Sequence, residues 1–307
     1  MESDVIRLES DVIVIGGNFA GVSAAMQLAR ARKRVVVVDA GQPRNRFAAA
    51  SQGFLGQDGN TPMAIQAEAK RQLLAYPTVS WLEGSAEWVF RVEDEFIVML
   101  GDDRQVVGRK LILASGVRDE LPDIAGLQPR WGRSVLHCPY CHGYEIGEGQ
   151  LGILASHAMA PHQSLLVADW GPVIYFSQGQ FTPDDEQRQH MQARGIRIES
   201  SPVVAILGNG TAMDAVRLED GREIAMKALF TAPRVHLNSG LIEQLGCRLL
   251  DGPLGPCVDV DVWGRTSVEG VFAAGDIAIQ RHNATLASAS GVNAGVGAHQ
   301  SLLGMLW

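Results

Sequence analysis

The chain opens with a strand, a glycine-rich turn, a helix, a second strand and an acid in unbroken succession, and few folds accommodate that order. Asp11-Val12-Ile13-Val14-Ile15 is a β-branched run, and Gly16-Gly17-Asn18-Phe19-Ala20-Gly21 follows it directly. Phe19, Val22, Met26 and Ala29 then recur at helical spacing, and Ala31-Arg32-Lys33-Arg34 ends the segment. Val35-Val36-Val37-Val38 is a second apolar strand, closed by Asp39 and Ala40.

A Rossmann-type dinucleotide site needs this order, because the helix N-terminus must turn its free N–H groups toward the pyrophosphate. Asp39 lies roughly 20 residues past the glycines, where an acid can accept from ribose hydroxyls. The expected binding set is Gly16, Gly17, Asn18, Phe19, Ala20, Gly21, Asp39 and Ala40. Asn18 stands where the middle glycine of G-x-G-x-x-G belongs. Asparagine tolerates left-handed backbone angles better than most residues, so the turn is expected to survive with a less close approach to the phosphate.

A second signal sits near the other end of the chain. Val271-Phe272-Ala273-Ala274-Gly275-Asp276 reads as a buried strand that stops at Gly275 and Asp276, with small residues following through Ala294. Asp276 at that place can bind ribityl hydroxyls of a flavin, and the next helix can aim its N-terminus at the pyrimidine end of the ring system. The two signals together predict FAD.

His137-Cys138-Pro139-Tyr140-Cys141-His142 is the sharpest motif in the chain. Two intervening residues bring the sulfurs within bonding reach at a turn or helix start, where the first thiolate gains from backbone N–H groups. Such a pair shuttles two electrons. CxxCH is also the attachment signature of c-type haem, which requires an exported chain, and the acidic start Met1-Glu2-Ser3-Asp4 lacks the pattern of a secretory signal. Zinc would need two further ligands, and neither a second CxxC nor an HxxxH is present, so no metal is expected. A pair that only packs is at odds with its polar, His-rich surroundings. Cys247 and Cys257, isolated in sequence, read as small buried hydrophobes.

Composition adds bounds. A chain of 307 residues, 46% hydrophobic and 20% charged, suits a soluble protein of two domains. Thirty-four acidic against 26 basic residues leave a net charge of −8, which repels polyanions, so nucleic acid is not an expected partner. No apolar run is long enough to span a bilayer, and a cytoplasmic location is expected. The six tryptophans, Trp81, Trp88, Trp131, Trp170, Trp263 and Trp307, are scattered and are expected to pack in cores or interfaces.

An N-terminal FAD unit, a central CxxC and a C-terminal Val-Phe-Ala-Ala-Gly-Asp together resemble the low-molecular-weight thioredoxin reductase family, over nearly the whole chain. Leu111-Ile112-Leu113-Ala114-Ser115-Gly116 resembles the family's hinge region, and Gly53-Phe54-Leu55-Gly56 its flavin-side loop. The resemblance implies an α/β, two-domain thioredoxin-reductase-like fold: a discontinuous Rossmann-type FAD domain, residues 1–116 and 237–307, and an inserted pyridine-nucleotide-type domain, 117–236, carrying the CxxC. It also implies a homodimer, with Cys138 as the interchange cysteine and Cys141 next to the flavin.

Two departures from that family shape the functional reading. Its central domain carries a second glycine fingerprint for NADPH, whereas residues 151–161 here hold a strand followed by Ser156-His157-Ala158-Met159-Ala160-Pro161, and no glycine occurs between Gly152 and Gly171. No Lys or Arg lies between Arg133 and Arg188 to clamp a 2′-phosphate, so the inserted domain is degenerate as a nucleotide site. The position after the second cysteine, an acid in the reductases, is His142, which titrates near neutrality and suits a base.

CxxC followed by histidine, with a degraded nucleotide fingerprint, is similar to the dithiol oxidases of the gliotoxin and holomycin type. That resemblance implies electrons running from a small dithiol substrate through Cys138 and Cys141 to FAD and on to O2. The competing readings are an NAD(P)H- or ferredoxin-dependent disulfide reductase serving a thioredoxin-like protein, and a non-catalytic flavin-binding redox sensor. Arg281-His282-Asn283, after the flavin aspartate, lies either at the dithiol site or on the surface.

Overall fold

The computed structural model describes residues 7–305, so Met1-Glu2-Ser3-Asp4 and Trp307 lie outside the described residues. The chain forms two compact units. Residues up to Arg46, Met63–Arg118 and everything from His236 on make the first, and Phe47–Pro62 with Asp119–Val235 make the second. The Gly53-Phe54-Leu55-Gly56 loop, placed by sequence with the FAD domain, therefore belongs to the second unit.

In the first unit β1 (Arg7–Ile15), α1 (Phe19–Arg30) and β2 (Val35–Asp39) follow the predicted order. After α2 (Pro62–Leu74) come β3 (Val79–Glu83), β4 (Ala86–Val92), β5 (Glu95–Leu100) and β6 (Gln105–Leu113). The sheet order is β3-β2-β1-β6-β5-β4. On its edge away from β1, β6 serves two partners in turn: its first half pairs antiparallel with β5, and its second half pairs parallel with the closing strand Val271–Ala273. Val12, Val14, Val35 and Val37 are fully buried beneath α1 and the closing helix Ala284–Leu302, as expected for parallel strands covered on a face by helices.

The small residues after Asp276 are explained by this packing. A Cβ on Gly291 would stand 2.1 Å from Ala20 O, and one on Gly295 would stand 2.5 Å from Ala24 O. Glycine on one helix and alanine on the other let the two backbones touch.

In the second unit β7 (Val135–Leu136), α3 (Pro139–Ile146), β8 (Leu151–Leu154), α4 (Ala160–Val167), β9 (Val173–Phe176), α5 (Asp185–Ala193), β10 (Arg197–Glu199) and β11 (Ala228–Phe230) build a parallel sheet in the order β10-β9-β8-β11-β7. A three-stranded antiparallel sheet, Val203–Leu207, Ala215–Leu218 and Glu223–Ala225, is added to it. The chain order reverses between β8 and β11, and ligands of open α/β sheets bind outside the strand ends at such a point.

Cys247 and Cys257 are buried, in keeping with the hydrophobic reading, and Trp131 is buried as well. Trp88 is 56% exposed, on β4, the outer strand of its sheet, which pairs only with β5. Among the described residues no helix is long and apolar enough to cross a membrane.

Candidate active site and dinucleotide cradle

The turn after β1 is tighter than its sequence suggested. Gly16 has φ +105, and a Cβ there would meet Ala114 O at 2.3 Å, so no other residue fits without moving the end of β6. Gly21 lies over the turn, where a Cβ would meet Gly16 O. Asn18 needs no left-handed geometry after all. It is the extended N-cap of α1, with φ −103, a conformation open to any residue, and its side chain caps nothing. Phe19 and Ala20 begin α1. Asp39 ends β2, with Ala40 next to it, and its Oδ1 accepts from Gly17 N at 3.1 Å, so the acid first serves to hold the turn.

Gly17 is required for a reason the sequence did not show. Its missing side chain is replaced by Trp81 of β3, whose Cη2 and Cζ2 would lie 2.3 and 2.4 Å from a Cβ. Lys70 of α2 covers the Trp81 ring at 4.5 Å while pairing with Glu83 at 3.1 Å.

Gly275 and Asp276 follow the closing strand in a 3-10 turn, and Gly275 N donates to Ser290 Oγ at 2.9 Å. Arg44 is the residue sequence reasoning missed here. Its Nη1 donates to Asp276 Oδ2 at 3.1 Å and to His282 Nδ1 at 2.7 Å. The arginine is always a donor, so it leaves the His282 Nδ1 without a proton. The nearest signal in sequence is the basic pair Arg44 and Arg46 in the loop after Asp39. Asn283 caps the closing helix by accepting from Thr285 N and Leu286 N. Two first-turn donors are thus taken up locally, and the helix end keeps its dipole.

Three buried polar atoms along these segments have no protein partner: Asn45 Oδ1, Trp81 Nε1 and Ser115 Oγ. Asn45 follows Arg44, Trp81 abuts Gly17, and Ser115 lies against Gly16. Buried polar groups normally have partners, so unsatisfied atoms lining a glycine turn and an aspartate fit a bound dinucleotide.

In the second unit Cys138 is the extended N-cap of α3 (φ −111, ψ 117), Pro139 supplies the first helical position, and Cys141 lies in the first turn. Their sulfurs are 2.6 Å apart. The Cys141 thiol and the backbone N–H groups of Cys141 and Tyr140 all favour a Cys138 thiolate, and together they bring that thiol down to about 7 against the opposing effect of burial. The same sulfur contact and burial push Cys141 up. His142 is next along α3 and bonds to neither sulfur. Burial holds its imidazole below the usual histidine range, with Glu145 opposing, so near pH 7 it is neutral. Gly143 lets α3 lie flat on Trp170, which Tyr140 meets edge to face at 5.5 Å.

At the reversal between β8 and β11 the crevice is bridged. Ser156 Oγ stands 3.1 Å from Thr231 Oγ1 and donates to Ala232 O at 2.9 Å. The N-terminus of α4 has few donors to spare: Ala160 N bonds to His157 O, Met159 N to His157 Nδ1, and Pro161 has no N–H.

A family model described as pyridine nucleotide-disulphide oxidoreductase matches residues 10–160 and 182–292. The chain belongs to that family. Thioredoxin reductase tcpT of Claviceps purpurea is 31% identical over 315 residues, covering 95% of this chain and 94% of its own. The crystal structure of an oxidoreductase from Agrobacterium tumefaciens is similar with TM-score 0.92 and 46% identity, covering 96% of this chain and 99% of that one. The crystal structure of HlmI is similar with TM-score 0.90 and 34% identity, covering 99% of this chain and 95% of that one. This chain is a thioredoxin-reductase-like oxidoreductase, and proteins of this group are FAD-binding flavoproteins.

Proposed function

We propose that this chain is a dithiol oxidase, taking electrons from a small dithiol through Cys138 and Cys141. The observation that carries the reading is the start of α4, where His157 takes up Ala160 N and Met159 N and Pro161 offers no N–H to a phosphate. With donors scarce there and no Lys or Arg in the sequence between Arg133 and Arg188, the electron pair arrives through sulfur in this reading.

Gly16, Gly17, Asn18, Phe19, Ala20, Gly21, Asp39, Ala40, Gly275 and Asp276 hold FAD in this reading, joined by Arg44 through Asp276. When bound, FAD supplies a two-electron acceptor that O2 can reoxidise. His142 takes the proton of the first substrate thiol. The substrate thiolate attacks Cys138 Sγ, the Cys138–Cys141 bond breaks, and Cys141 leaves as a thiolate. The second substrate thiol loses its proton and attacks the first substrate sulfur. The mixed disulfide breaks, Cys138 leaves, and its low proton affinity makes it a good leaving group. Overall a dithiol and O2 give a disulfide and hydrogen peroxide. The family resemblance adds a homodimer.

The test is oxygen consumption by purified holoenzyme with a small dithiol and no pyridine nucleotide. Turnover that disappears in Cys141→Ser supports the reading, and turnover that persists in that variant overturns the relay. The name of tcpT favours a second reading, a nucleotide-driven disulfide reductase. Rapid bleaching of the flavin by NADPH in stopped flow would select it.

A further inference from the structure

Gln163 of α4 is only 9% exposed, and its amide makes a contact that α4 itself does not require. Its Nε2 donates to the main-chain oxygen of His137 at 2.9 Å. That oxygen belongs to the peptide leading into Cys138. The turn that follows α4 carries Trp170, which lies under Gly143 of α3 and meets Tyr140. The segment bearing the redox pair is therefore supported at two points, by Gln163 before its first turn and by Trp170 beneath its middle.

We infer that Gln163 is a positioning residue of the redox pair, holding the His137 carbonyl and through it the extended N-cap conformation of Cys138. The physical route is short. The His137–Cys138 peptide plane sets the backbone of Cys138, whose φ of −111 and ψ of 117 bring Sγ in front of the N–H groups of Tyr140 and Cys141. Loss of the Gln163 donor loosens that plane, and the sulfur then loses part of its alignment with those donors. A helix that carries phosphate in a nucleotide-binding domain, and that here has few donors left at its start, has become the support of the CxxC. Of the groups acting on Cys138 only Cys141 is itself titratable, so a change in its titration reports geometry and not a new charge.

The inference rests on the proposed reading only in taking Cys138 as the exchanging thiol. The experiment is the pH dependence of iodoacetamide alkylation at Cys138 in the reduced holoenzyme, mapped by peptide mass spectrometry, without oxygen or substrate. Gln163→Met keeps the length and removes the donor. Its Cys138 titration is expected to move up by about one pH unit, lowering the thiolate fraction at pH 7 about fivefold. Gln163→Asn, which withdraws the same amide by one carbon, is expected to shift it in the same direction and serves if the methionine variant does not fold. Ser164→Ala is the control, because Ser164 is equally interior to α4 but bonds only to Pro161 O. A titration that stays on the wild-type curve in the Gln163 variants overturns the inference, and so does an equal shift in Ser164→Ala. A failure of dithiol oxidation would leave the alkylation result standing.

Discussion

Gly17 and Trp81 share one volume: the Trp81 benzo edge occupies the space a side chain on Gly17 would take, with Cη2 2.3 Å from the Cβ position. The N–H of the same glycine is held by Asp39 at 3.1 Å, so one residue joins β1, β2 and β3 at the mouth of the dinucleotide turn.

Gly17→Ala is expected to cost about 1 to 3 kcal/mol, the usual penalty for overpacking, and to weaken FAD binding as the turn shifts. Chemical unfolding and a flavin fluorescence titration measure the two effects. In a Gly17→Ala, Trp81→Leu double variant the ring is gone, so the combined loss should be clearly smaller than the sum of the single losses. Additive losses would mean that Trp81 is not what excludes the methyl.

His142→Ala is expected to lower dithiol oxidation about a hundredfold at neutral pH, the scale of one general base. In the wild type, kcat/KM should rise with pH through a value below the ordinary histidine range, because burial favours the neutral imidazole. That limb should vanish in the variant. A pH profile shared by both proteins would remove His142 from the proton step.

Burial lowers both His142 and His157 from 6.5, so the unfolded chain binds more protons than the folded one as the pH drops. Their contribution to stability is complete above 6.5 and is lost as the pH falls through that value toward their folded ones. Unfolding midpoints measured between pH 7.5 and 5.5 should decline, and a His142→Gln, His157→Gln pair should flatten the decline. An unchanged slope would place the effect elsewhere.

Arg130 is a buried cation, 5% exposed, that donates to the carbonyls of Ala212 (2.8 Å), Gly126 (2.8 Å) and Gly208 (2.5 Å). It ties the segment before β7 to the loop of the antiparallel sheet. Arg130→Met should destabilise the second unit by about 3 kcal/mol, since three buried acceptors lose one charged donor. Urea unfolding followed by Trp131 fluorescence reads this, and a loss below about 1 kcal/mol would mean that water replaces the guanidinium.

Much of the fold was legible because it is written in periodic patterns and short spacings. The β-branched runs of β1 and β2, the glycines between them and Val271-Phe272-Ala273 each show their element within a few residues. The CxxC at a helix start follows from Pro139 after Cys138. Less legible were the reasons for individual residues. Trp81 filling the space beside Gly17 left no mark in the sequence, and Asn18 read as a left-handed residue and proved to be an extended cap. The glycines of the closing helix read only as a run of small residues and are where Ala20 and Ala24 of α1 make contact.

What the amino-acid order determined by itself is the local chemistry: a dinucleotide turn, a dithiol with a histidine beside it, and a nucleotide fingerprint stripped of glycine and cation. The tertiary structure decided which partners those groups have. Arg44 meets His282 across 238 positions, Ser156 meets Thr231 across 75, and Gln163 reaches His137 across 26. No period or spacing encodes such contacts. They arise only when parallel strands bring distant strand ends side by side, and burial then makes each hydrogen bond costly to leave unmade.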